Sequence, residues 1–192
     1  MISCFVALLW VTKTRMLQST SCHPKEGLLI NGQNFSDYSS IIMMFSPADF
    51  MFFAVTEAKK ALALNEVPVG AIVVKDKKVI VAGFNSVLRD QSVTAHAEIN
   101  AINAASKGIN NYRLVNCDLY VTLEPCHMCA KAIVDARIDN IYFSTLEPKT
   151  GSIVSVDNFF DKKFLNHRVN YVSGLMQDES SRLLKDFFRS RR

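Results

Sequence analysis

At 192 residues the chain is long enough for one domain and too short for two of ordinary size. With 49% hydrophobic and 21% charged residues, 7 glycines and 5 prolines, it is a globular mixture rather than a fibrous or low-complexity one, and no apolar run is long enough to span a bilayer. A net charge of +4 tilts it mildly toward polyanions, and five cysteines in no regular framework argue against a secreted disulfide scaffold and for a cytosolic set of thiols.

The first residues, MISCFVALLWVTKTR, place their positive charge after the apolar run, the reverse of a secretory leader. The polar stretch after them reads as linker. Residues 1–45 are therefore expected to be a poorly ordered extension, or the product of a start assigned ahead of Met43 or Met44, and 46–192 the folded domain.

Ser46-Pro47-Ala48-Asp49 opens a helix: serine caps, proline fits the first helical position and aspartate suits the positive end. An apolar stripe from Phe50 to Leu62 carries this helix to about Asn65. GAIVVKDKKVIVAGFN reads as a hairpin turning at Asp76–Lys78. A helix over Ala97–Lys107, a strand over DLYVTL, a short helix from Cys126 to about Ala136 and a strand over NIYFST come next. A polar loop then leads to a strand at Val169–Val172 and a last helix over Asp178–Arg191, with Leu183, Leu184, Phe187 and Phe188 facing inward and Arg189, Arg191 and Arg192 reaching solvent. Helices alternating with strands after a hairpin imply an α/β layered domain with one mixed sheet.

His96 and Glu98 lie two residues apart, a spacing that a helix interior would drive to opposite sides. They converge only if His96 precedes regular helical geometry. Cys126 and Cys129, at i and i+3, share one side of another helix's first turn, where the local positive charge favours thiolate. Alone, C-x-x-C fits a dithiol redox pair equally well. With His96 it makes three ligands of a tetrahedral zinc site whose fourth position is open, the pattern of a catalytic metal. Glu98 beside such a water would accept its proton. Cys117, at the far end of its strand, reads as a buried hydrophobe, and His127 points away from Cys126 by about 100° of helix rotation.

His96-Ala97-Glu98 with Pro125-Cys126-His127-Met128-Cys129 resembles the H-x-E…P-C-x-x-C signature of the zinc nucleobase deaminases. The further blocks EVPVGAIVV, TAHAEI, NYRL, LYVTLEPCHMCA, KTG, NHRV and FFRSRR, from about Phe50 to Arg192, resemble the bacterial tRNA-specific adenosine deaminases. Two departures stand out: Glu147-Pro148 where that family commonly carries Asp-Ala, and His127 where an apolar residue is usual.

The resemblance implies a three-layer α/β/α cytidine-deaminase-like domain around a mixed five-stranded sheet. It implies hydrolytic conversion of adenosine to inosine at the wobble position of a tRNA anticodon, an arginine tRNA being expected. One Zn2+ per subunit would be held by His96, Cys126 and Cys129. Glu98 would carry a proton from the zinc-activated water to ring N1 and then to the departing ammonia. Asn85, Glu147, Phe188, Arg191 and Arg192 would meet the substrate, in a cytoplasmic homodimer with no membrane contact.

Three other functions compete. A deaminase of free bases or nucleosides would share the zinc residues, but would have no use for the arginines of FFRSRR. A non-catalytic RNA-binding subunit would typically lack the glutamate that is present as Glu98. A dithiol redox protein would bind no stoichiometric zinc.

Overall fold

The computed structural model describes residues 45–191. The expectation of a poorly ordered segment over 1–45 falls, apart from Phe45, outside the described residues, as does Arg192.

Helix α1 spans Pro47–Ala63 and opens with a capping box: the Ser46 hydroxyl accepts from the Asp49 N–H, and the Asp49 carboxylate accepts from the Ser46 N–H at 2.8 Å. It stops two residues short of Asn65. Asn65 takes the left-handed conformation (φ 61°), and the N–H groups of Asn65 and Glu66 close back on the carbonyls of Leu62 and Ala61, both at 3.0 Å. This is a Schellman ending, and it turns Glu66 inward.

Strands β1 (Gly70–Lys75) and β2 (Lys78–Phe84) form the expected hairpin. Its turn is only two residues long, Asp76 and Lys77, both at positive φ, as a tight hairpin with right-handed twist requires. Helix α2 (Ala97–Gly108), strand β3 (Cys117–Leu123), helix α3 (His127–Asp135) and strand β4 (Asn140–Thr145) follow. A 3-10 turn at Phe159–Asp161, strand β5 (Asn170–Ser173) and helix α4 (Gln177–Arg189) complete the fold.

The sheet order is β2-β1-β3-β4-β5, with β1 antiparallel to both neighbours and β3, β4 and β5 mutually parallel. Residue alternation divides the central strands. Ile72, Val74 and Tyr120 face α1 and pack on Phe50, Met51 and Ala54. Ala71, Val73, Leu119 and Val121 join Ala101, Ile133 and Phe143 in the other core, under α2 and α3. Helix α4 lies beside α1, tied by the Lys59–Glu179 ion pair at 2.7 Å. The result is the expected three-layer α/β/α arrangement.

Gly70 lets α1 cross β1 closely: a Cβ there would sit 2.1 Å from the Ala54 carbonyl oxygen. Helix α4 differs from expectation. Its buried positions run Ser180, Leu184 (half-buried), Phe187, a single stripe that rotates Phe188 outward, where it is 49% exposed. Among the described residues no helix is long and apolar enough to cross a membrane.

Candidate active site

His96 is the residue before α2, with extended backbone (φ −73°, ψ 154°), and Cys126 stands in the same relation to α3 (φ −75°, ψ 171°). Neither side chain caps its own helix. Each is thus free to project from a helix start, and Cys129 joins them one turn into α3. The extended backbone at His96 resolves the two-residue spacing: histidine leaves before the helix begins, and Glu98 leaves from its first turn.

The His96 Nδ1 lies 3.8 Å from the Cys126 Sγ and 3.5 Å from the Cys129 Sγ, and all three donor atoms fall within 4.8 Å of one another. A tetrahedral zinc with Zn–N of about 2.0–2.1 Å and Zn–S of about 2.3 Å needs nitrogen and sulfur about 3.6 Å apart. The donor set fits that ion in both type and spacing. Among the described residues no other cluster of three such donors forms.

The charges suit the same ion. The Cys126 thiol is pulled down to about 3, first by the hydrogen bond from the Cys129 thiol and then by His96 and the Cys129 N–H, against the opposing effect of burial. That hydrogen bond, with burial, pushes the Cys129 thiol up. The pair shares one proton, which a dication would displace. Glu98 is buried (4% exposed), and burial raises its carboxyl above the usual range, with nearby His96 pulling the other way. A carboxyl that holds its proton more readily is suited to pass it on.

Cys117 is fully buried in the core at the start of β3, away from this cluster. His127 is exposed, pairs with Asp157 at 3.2 Å, lies edge-on to Phe159 and is not in the donor group.

A cavity of about 460 Å³ opens over His96, Glu98 and Cys126. Asn85, Glu147 and Arg191 line it. Phe188 does not; its neighbour Phe187 takes that place, because the stripe of α4 buries 187 rather than 188. Arg191 also departs from expectation. The helix ends at Arg189, and Arg191, though exposed as expected, does not extend freely from it. Its guanidinium folds back over the Phe187 ring at 3.8 Å and donates to the Asn65 carbonyl at 2.8 Å.

Two acidic residues missed by motif reading shape the cavity. Glu66, 1% exposed, accepts from the Arg89 N–H at 2.7 Å and the Asn85 Nδ2 at 3.2 Å, fixing the loop before α2. Glu124, 2% exposed, accepts from the N–H groups of Glu147, Ile153, Val154 and Ser155, at 2.7–3.0 Å, and from the Ser155 hydroxyl. Burial would raise its carboxyl, but the Ser155 hydroxyl and three of these N–H groups outweigh that and hold it below the usual range. Gly151 leaves room for this carboxylate, since a Cβ there would meet it at 2.4 Å. The only sequence signal for either was an acidic residue one or two places before a proline, in NEVPV and TLEPC.

The chain belongs to the cytidine and deoxycytidylate deaminase family, whose zinc-binding region matches residues 45–145. It is an enzyme of that class, a deaminase. Within the family it stands with the tRNA-specific adenosine deaminases. Those of Haemophilus influenzae and Aquifex aeolicus are each 46% identical to it over 143 residues, covering 74% of this chain and 83% and 94% of theirs. A structure solved in a study of A-to-I editing by tRNA:A34 deaminases at the wobble position of transfer RNA matches with a TM-score of 0.69. It is 43% identical, over 70% of this chain and 98% of that one.

Proposed function

We propose that this protein converts adenosine to inosine at the wobble position of a tRNA anticodon, that of an arginine tRNA. The carrying observation is the convergence of His96, Cys126, Cys129 and Glu98 beneath one cavity. The named activity of its relatives supplies the substrate. In this reading the active domain is 46–192, works in the cytoplasm and pairs as a homodimer.

His96, Cys126 and Cys129 hold one zinc per subunit, which when bound supplies Lewis-acid activation of a water molecule. Glu98 accepts the proton of the attacking water and delivers it to ring N1 of adenine. The water oxygen would bond to C6; Glu98 would then take that oxygen's remaining proton and pass it to the exocyclic nitrogen as the C6–N bond breaks, so that one water is consumed and one ammonia leaves. Asn85 and Glu147 hold the base and its surroundings, while Val69, Leu88 and Leu123 supply apolar wall that excludes bulk water.

The test is inosine formation in an arginine tRNA anticodon stem-loop incubated with zinc-loaded protein, read by nuclease digestion and mass spectrometry. No inosine would overturn the reading. Turnover of free nucleosides in its place would point to a small-molecule deaminase.

In this reading Arg191, at the cavity wall, meets an RNA phosphate with its guanidinium fork. Arg191→Ala is expected to weaken stem-loop binding irrespective of sequence and to flatten the log–log salt dependence by roughly 0.7–0.9. Filter binding across a salt series measures both. An unchanged slope would leave Arg191 as a brace for Phe187 only.

A further inference from the structure

We propose that Glu66 is a positioning residue that sets the polarity of the Asn85 carboxamide, leaving its oxygen free to accept a hydrogen bond from the bound nucleoside. The inference rests on the deaminase reading above and goes beyond it by assigning a role, exerted through Asn85, to a second residue of the cavity wall.

The Glu66 carboxylate is buried, and among the described residues no lysine or arginine side chain pairs with it. The nearby Arg89 guanidinium turns to Asp90 instead, and only the Arg89 backbone N–H reaches Glu66. A buried carboxylate without a counter-ion is costly to keep. What it does is chemical. A carboxylate only accepts, so Asn85 must offer its NH2 group, as the 3.2 Å contact from Nδ2 records. The Asn85 Oδ1 then has no hydrogen-bond partner among the described residues, on a side chain that lines the cavity. The site therefore presents an acceptor where the substrate must present an N–H or O–H. Adenosine carries such donors on its exocyclic amine and its ribose. Asn65, at the left-handed end of α1, aims Glu66 at this point.

The experiment inverts the amide without emptying the space. In Glu66→Gln, one arrangement alone keeps both contacts. The introduced oxygen stays on the Arg89 N–H, and the introduced NH2 faces Asn85, which must turn its oxygen inward and its NH2 to the cavity. The expected result on the stem-loop is a fall of about ten- to a hundredfold in kcat/KM, carried mainly by KM, with the melting temperature little changed. The double variant Glu66→Gln/Asn85→Asp restores an acceptor on both sides and recovers most of that loss. Side-chain amide NMR gives a reading that needs no substrate. One Asn85 N–H, assigned by its loss in Asn85→Asp, is protected from solvent exchange in the native protein and loses that protection in Glu66→Gln.

An unprotected Asn85 amide in the native protein overturns the proposal, as does full kcat/KM in Glu66→Gln. A double variant no better than the single one would make Glu66 a structural brace. If the native protein makes no inosine, the substrate reading fails by itself, and amide exchange still decides the polarity.

Discussion

Replacing Glu98 by glutamine is expected to lower turnover by at least about 10²–10⁴-fold, the usual worth of a positioned acid–base group, and more if the same group handles each proton transfer. The side chain is buried in the first turn of α2 and is not one of the three clustered donors. Glutamine has nearly the same shape, so zinc content by elemental analysis and the melting curve should match the native protein. Glu98→Gln removes only the capacity to take a proton and return it. Near-native turnover would sink the assignment, whereas loss of metal would make Glu98 a structural support.

A comparably large loss, of stability rather than rate, is expected for Glu124→Gln. Glu124 gathers four backbone N–H groups and one hydroxyl from a loop more than twenty residues further along the chain. A glutamine at that position offers one oxygen in place of two and turns an NH2 group toward donors. With the oxygen kept on the Ile153, Val154 and Ser155 N–H groups, the Glu147 N–H and the Ser155 hydroxyl lose their acceptor and the remaining bonds lose the carboxylate's charge; the cost is about 2–4 kcal/mol, or roughly 5–15 °C in melting temperature for a domain of this size. Proteolysis within 147–155 should accelerate as well. The sign of the pH dependence follows from the lowered Glu124 carboxyl. Its contribution is complete above the ordinary glutamate range and is lost as pH falls through the depressed folded value, so Glu124→Gln should flatten the acid limb of the stability profile. A melting temperature within a degree or two of native would mean that the loop is held by other contacts.

Much of the architecture was legible because it is written in short-range periodicity. Short runs rich in β-branched and aromatic residues marked β1, β3 and β4, the Ser46-Pro47 start marked α1, and the two-residue step from His96 to Glu98 demanded a helix beginning between them. What escaped depends on contacts between distant segments or on small errors of phase. Phe187 and Phe188 differ by 100° of rotation, and nothing local says which faces the sheet. Arg191 folds back because α4 stops at Arg189 and because Phe187 and the Asn65 carbonyl happen to lie within reach. Nothing local marked Glu66 or Glu124 as buried, since most of their partners are backbone N–H groups 23 to 31 residues further along the chain. No pattern of side chains announces a carboxylate whose ligands are main-chain amides.

An open sheet also leaves two rows of backbone donors and acceptors that another copy of the chain could extend, the route by which β proteins aggregate. Both rows are interrupted here. β5 is only four residues long. On β2, Val73 pairs with Val81 while Val74 pairs with Val79, so Ile80 is skipped and the edge buckles in mid-strand. A second strand laid along either edge would lose its ladder within a few residues. The bulge at Ile80 thus works against edge-to-edge pairing of two copies of the chain.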